Sequence, residues 1–229
     1  MAEGSEARAA VEAVARHFGA TLEAVADGFE ARLSPAEKRI CLDVATFLPE
    51  THLGLAKPRL RFDKVVIRLI RRLREALSQD IPAGSTVVFS MTAPIRLAAR
   101  TAALLELRIR LCLADGPDEF AEIIHGNEVH VRIVSGGPRG TPKVVGFVQS
   151  PGADPVLLIE MSQALLQLAG RPSEEPALDR WLVLAISAGT PPVETWRQVN
   201  AQLAIGRHGE KVVVVFPNGR LEDISERSM

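Results

Sequence analysis

Ser90, Thr92, Arg96 and Arg100 have the residue types and spacing of an anion site. Two hydroxyls follow the β-branched and aromatic run Val87–Phe89, and two arginines stand one helical turn apart beyond Pro94. In open α/β sheets, ligands sit outside the carboxyl ends of strands, and helix N-termini favour negative charge. An arginine in a first helical turn opposes the positive end of the helix dipole. Arg96 is therefore easiest to understand beside a phosphate or carboxylate. The turn has no glycine, so its amides cannot wrap a phosphate as a Gly-rich loop does. The chemistry expected here is recognition of an anionic small molecule. If that molecule is a substrate, His130 is the candidate proton-transfer group.

A second constellation is the row Arg68, Arg71, Arg72 and Arg74, preceded by Lys57, Arg59 and Arg61. The chain as a whole carries a net charge of −1. Its distribution is uneven: residues 1–56 are net −4, residues 57–113 net +8 and residues 114–229 net −5. A basic centre between acidic flanks either binds an anion or is neutralised within the fold. A third constellation is Arg108, Arg110, His130 and Arg132. If 107–113 and 128–134 are neighbouring strands, these four share one sheet face with Glu128.

Other chemistries find less support. Glu122 and His125 stand at i, i+3, as in di-iron bundles, but such sites need that motif twice plus further carboxylates. No metal and no cofactor are expected. There is no G-x-S-x-G, and neither Cys41 nor Cys112 has a histidine beside it in sequence; both read as buried thiols. The chain lacks tyrosine, so stacking on single-stranded bases is not expected. No stretch is apolar enough to span a bilayer and the N-terminus does not resemble a signal peptide. A cytoplasmic protein without a membrane partner is the expectation.

The elements that must position these residues follow from periodicity. Residues 5–18 predict a helix stopped by Gly19, residues 21–33 a second, and Ser34-Pro35-Ala36-Glu37 opens a third that runs to Leu48. Within this region Ala15, Gly19 and Val25 are spaced as in a DNA-binding helix-turn-helix, which the segment Val14–Val25 resembles. The resemblance implies a second helix lying in the major groove. That helix would present Glu23, Asp27 and Glu30 to phosphates, which opposes binding. Nucleic acid is accordingly not the favoured partner.

Residues 62–79 carry one apolar stripe, Phe62, Val65, Val66, Leu69, Ile70, Leu73 and Leu77, and predict the clearest helix. Residues 84–114 read as a βαβ unit. A strand precedes Thr92, a helix runs through Ala98–Leu105, and Leu107, Ile109, Leu111 and Leu113 alternate with Arg108, Arg110 and Cys112 as a second strand. A short helix at 119–125 and a hairpin of 128–135 with 143–149 follow. Then come a helix over 154–170, a buried strand at 181–187 (a helix is the alternative there) and a helix over 190–205. A hairpin of 211–216 and 220–224 turns at Asn218-Gly219. The fold class expected is α/β or α+β: a mixed sheet of about seven strands with packed helices and an all-helical N-terminal extension. The expected division is a helical region 1–80 and an α/β domain 81–229, unless the two form one continuous domain. The leading functional expectation is a non-catalytic binding or regulatory module that engages an anionic ligand or an acidic protein through the basic central segment. The alternatives are an enzyme acting on a phosphorylated or carboxylated small molecule at Thr92–Arg96, and a DNA-binding regulator.

Overall fold

The computed structural model describes residues 2–25, 28–33, 38–49, 60–61, 64–172, 178–187, 189, 191–206 and 210–225. The fold is mixed α/β, as the patterns predict, but its strands form two sheets instead of one. The chain divides into two compact units, 1–50 with 168–229, and 51–167. The boundary expected near residue 80 falls inside the second of these.

The first unit is built on a six-stranded sheet. In chain order its strands are β1 (Ala20–Val25), β2 (Gly28–Leu33), β3 (Lys38–Phe47), β8 (Asp179–Ile186), β9 (Lys211–Val215) and β10 (Leu221–Asp223), and they lie side by side in that same order. β3, β8 and β9 are parallel and the outer pairs antiparallel. Alternate residues of β8 and β9 face opposite ways. Val183, Val213, Ile40 and Leu42 pack against Ala10, Val11 and Val14 of α1 (Ala2–Phe18). Trp196 of α5 (Val193–Leu203) is fully buried and meets the Phe47 ring edge-on at 5.0 Å.

Three expectations are corrected here. Where a helix over 21–33 is expected, Ala20–Val25 and Gly28–Leu33 are two paired strands. The reason is visible once the pairing is known: Gly19, at φ 62, ends α1 abruptly, and the β-branched Thr21 and Val25 then enter a strand paired residue by residue with β2. The expected third helix is β3. Ile40, Leu42 and Val44 alternate, and the parallel partner β8 rewards that period; the capping box at 34–37 lies outside the described residues. Region 1–80, expected to be all-helical, thus holds a helix, three strands and a second helix over Lys64–Leu77. A helix-turn-helix needs a second helix where β1 and β2 stand.

The second unit holds a four-stranded sheet in the order β5 (Glu119–Ile124), β6 (Asn127–Ser135), β4 (Ser85–Thr92), β7 (Val144–Gln149). Two helices, α2 (Lys64–Leu77) and α3 (Ala98–Asp115), supply its core. Val66, Leu69, Leu73, Leu105 and Ile109 join Val87, Phe89, Val131 and Val148 in one cluster. Gly146 leaves room for the Phe89 ring; a Cβ there would stand 2.2 Å from it. A further helix, α4 (Leu157–Ala169), follows β7.

Here too the chain departs from its patterns. The alternating stretch 107–113 continues α3, so 84–114 is not a βαβ unit. Ala102, Leu105 and Ile109 are the buried residues, at helical spacing, whereas Leu107 and Leu111 are 53% exposed. Leu, Ala, Glu and Arg are strong helix formers, and they continue a helix already nucleated before residue 107. Residues 119–124 are strand β5, joined to β6 by a two-residue loop in which His125 and Gly126 both have positive φ. Finally, β6 and β7 do not form a hairpin. β4 lies between them, antiparallel to β6 and parallel to β7, because its Val87, Val88 and Phe89 are apolar on both faces and take the central position.

Candidate functional site: the α2–α3 groove

The sequence of α2 puts an apolar stripe on one side and arginines on the other. Val66, Leu69, Ile70, Leu73 and Leu77 are buried. Arg68, Arg71 and Arg72 are consequently left in solvent. Arg68 has no carboxylate within ion-pair distance among the described residues. Arg71 has only its helical neighbour Glu75, at 4.0 Å between exposed groups. Arg72 gives one N–H to the Ala99 carbonyl at 3.3 Å, leaving most of its fork of donors for a ligand. Arg74 differs: it is half-buried, its Nε donates to the Val144 carbonyl at 2.7 Å, and burial pulls its guanidinium below the ordinary arginine value. Arg74 holds α2 to β7 and is not part of a binding surface. Among the described residues of this unit, no carboxylate outside α2 pairs with the three exposed arginines.

Beside them lies a groove of about 270 Å³, floored by Val65, Leu69, Ala98, Ala99 and Ala102 and rimmed by Arg68 and Arg72. The alanines of α3 create it, since their short side chains cannot fill the space against α2. Among the described residues no carboxylate lines it. It is an apolar slot under positive charge, of a size for anchoring side chains rather than for a drug-sized ligand.

The anion turn has a different character. Ser90 is fully buried, and the Gln149 Nε2 stands 3.5 Å from its hydroxyl. Thr92 is partly buried, while Arg96 and Arg100 reach solvent. The Arg96 N–H, the group an anion would use, is taken by the Asn127 Oδ1 at 2.7 Å. The Asn127 Nδ2 donates in turn toward the carbonyls of Arg96 and Ile124 and the Thr101 hydroxyl. Thr101 donates to the Arg96 carbonyl at 2.9 Å. Asn127 and Thr101 are both buried, so this network clamps the β5–β6 turn to the start of α3. Sequence reasoning missed it. Nothing local marks Asn127 as the partner of a backbone 31 residues away.

The third constellation is split. Arg108 and Arg110 lie on α3, not on a strand. Arg108 donates to Glu122 at 2.7 Å. Arg110 is bonded to Asp80, Glu106 and the Ala76 carbonyl, and the Asp80 hydrogen bond foremost raises its guanidinium above the ordinary value. His130 and Arg132 remain together on β6. They border a cleft of about 240 Å³ with Glu119, Ala121 and Ile159. The His130 Nε2 is 3.2 Å from Glu128, and Arg132 donates to Glu119 and Gln163, both at 2.8 Å. These partners leave little donor capacity for a ligand. Glu122, engaged by Arg108, and His125, 3.4 Å from Thr101, do not converge; among the described residues no cluster of three metal-ligating side chains occurs. Burial foremost raises the Cys112 thiol above its ordinary value, with Arg108 pulling the other way, which disfavours a thiolate nucleophile. No described helix is long and apolar enough to cross a membrane.

The first unit contains a cleft that the sequence did not announce. About 340 Å³ in volume, it opens at the ends of β8 and β9, between Ala9 and Ala10 of α1 and the Phe216–Gly219 turn. Among the described residues its lining is apolar apart from Glu6 and Ser187.

No family model, curated protein or solved structure matches the chain.

Proposed function

We propose that the protein is a non-catalytic binding module whose α2–α3 groove receives an acidic, amphipathic helical segment of a partner protein. The observation that carries this reading is an apolar slot rimmed by Arg68 and Arg72, with no compensating carboxylate among the described residues. A helix laid in such a groove anchors itself through apolar side chains at i, i+3 and i+4, and its flanking carboxylates meet the arginines. Charge on the rim adds orientation and encounter rate more than raw affinity. The locked amide of Arg96 favours this groove over the anion turn as the place where a partner binds.

The test is fluorescence anisotropy with three labelled helical peptides of one leucine pattern, carrying Glu, Gln or Lys at their polar positions. The Glu peptide should bind, and raising salt from about 50 to 300 mM should weaken it as screening shortens. The double variant Arg68→Ala/Arg72→Ala should weaken it by about tenfold. Equal binding of the Gln peptide, or no loss in the double variant, overturns the reading. So does tighter binding of a short duplex DNA lost in the same variant, which assigns the surface to nucleic acid.

A further inference from the structure

The four-stranded sheet has two edges, and they are treated differently. Along β7, Leu60 forms an antiparallel bridge with Gln149, and the Arg61 N–H donates to the Val148 carbonyl at 2.7 Å. At the opposite edge, β5 pairs with β6 alone among the described residues. One bond establishes how β5 presents its backbone: the Ile133 N–H donates to the Asp118 carbonyl at 2.6 Å. Bonded pairs alternate along an antiparallel ladder. With the register of β5 and β6, Phe120, Glu122 and Ile124 therefore turn their N–H and C=O groups toward β6. Glu119, Ala121 and Ile123 turn theirs outward.

Exposed edges are usually blunted by free charge, proline or a bulge. β5 has no proline and no lysine. Its two carboxylates are held within the chain, Glu119 by Arg132 and Glu122 by Arg108. Ile123 is 75% exposed. On α3, Leu107 and Leu111 are exposed one turn apart, with Leu104 partly buried at i−3 from the first. Arg108, on the neighbouring side of that helix, reaches Glu122, so this leucine row lies on the flank of α3 nearer the β5 edge. An open strand and an apolar helix flank thus stand side by side.

We infer that this edge is a self-association surface, at which a second copy of the chain adds its own β5 antiparallel to the first. The two four-stranded sheets then become one of eight strands about a two-fold axis. The register follows from the outward groups. With Ala121 opposite its symmetry mate, Glu119 meets Ile123 of the other copy, every outward N–H finds a C=O, and no glutamate faces a glutamate; Glu122 stands opposite Phe120. Both α3 helices lie on one side of the joined sheet, and their rows of Leu104, Leu107 and Leu111 face each other across the axis. A second copy is the occupant because the outward backbone groups pair in register about a two-fold axis and that same axis brings the two leucine rows together. The α2–α3 groove is on the other flank of α3 and stays open.

Sedimentation velocity of the full chain through the micromolar range tests this. The mass should rise from 24.8 kDa toward twice that value with concentration. Ala121→Pro deletes an outward donor without touching a bond to β6, and should raise the dissociation constant by about tenfold or more with the circular dichroism spectrum retained. Leu107→Glu/Leu111→Glu alters only exposed positions and should do the same; if Ala121→Pro does not fold, this variant decides alone. In hydrogen exchange, the amides of Ala121 and Ile123 should slow as concentration rises. A chain that stays monomeric throughout overturns the inference, and so does a dimer indifferent to the leucine variant.

Discussion

Arg180 and the Arg68–Arg72 pair show two uses of one side chain. In the first unit, Arg180 is 11% exposed and fully engaged: it pairs with Asp43 and with Glu210, and donates to the carbonyls of Leu168, Ala169 and Arg171. In the second unit, Arg68 and Arg72 rim a groove that contains no acceptor side chain among the described residues. The difference is not in the residue but in what the fold brings to it. Where strand ends and a helix terminus converge, carbonyls and carboxylates consume the guanidinium. Where two helices meet over alanines, a single carbonyl, that of Ala99, takes one N–H of Arg72 and most of the donors stay in solvent. An arginine-rich sequence is therefore a poor guide to binding until each guanidinium has been matched with its acceptors.

The sharpest way to break this comparison is Arg180→Ala. It leaves Asp43 and Glu210 unpaired in a partly desolvated site and should cost about 3 kcal/mol or more. Both tryptophans, Trp181 and Trp196, lie in the first unit, so their fluorescence in a urea titration reads the loss there. A change below about 1 kcal/mol would mean that Arg180 is as dispensable as a surface ion pair. Next in size is Asn127→Ala. It orphans the Arg96 amide and the carbonyls it now serves, at about 2 kcal/mol, and should speed exchange of the Arg96 amide. Unaltered exchange would mean that the turn is held by something other than the clamp. Smallest is the effect of Arg68→Ala/Arg72→Ala on stability, within about 0.5 kcal/mol of the parent, even as peptide binding falls. A large stability loss would show these arginines to be structural and erase the contrast with Arg180.

Much of the architecture is legible in the sequence. α1, α2, α4 and α5, and strands β4, β6, β7, β8, β9 and β10, stand where periodicity puts them. α2 is legible because its apolar stripe and its arginines obey one period without competition. Residues 107–113 are not, because Leu107, Ile109, Leu111 and Leu113 satisfy a strand period while Ala102, Leu105 and Ile109 satisfy a helical one; tertiary burial chose the second. Of the three constellations read from residue types, the α2 row largely keeps its surface and loses only Arg74. The anion turn has its backbone amide occupied, and the sheet-face set is divided between α3 and β6.

By itself, the sequence determined that this is a mixed α/β protein with a basic central helix, because amphipathic periodicity and local charge are properties of neighbouring residues. Tertiary structure alone decided that there are two sheets, that β4 separates β6 from β7, and that α3 absorbs a would-be strand. It also decided which arginines are spent. Pairing partners, hydrogen-bond acceptors and the emptiness between two helices are set by residues distant in the chain, and no local pattern encodes them.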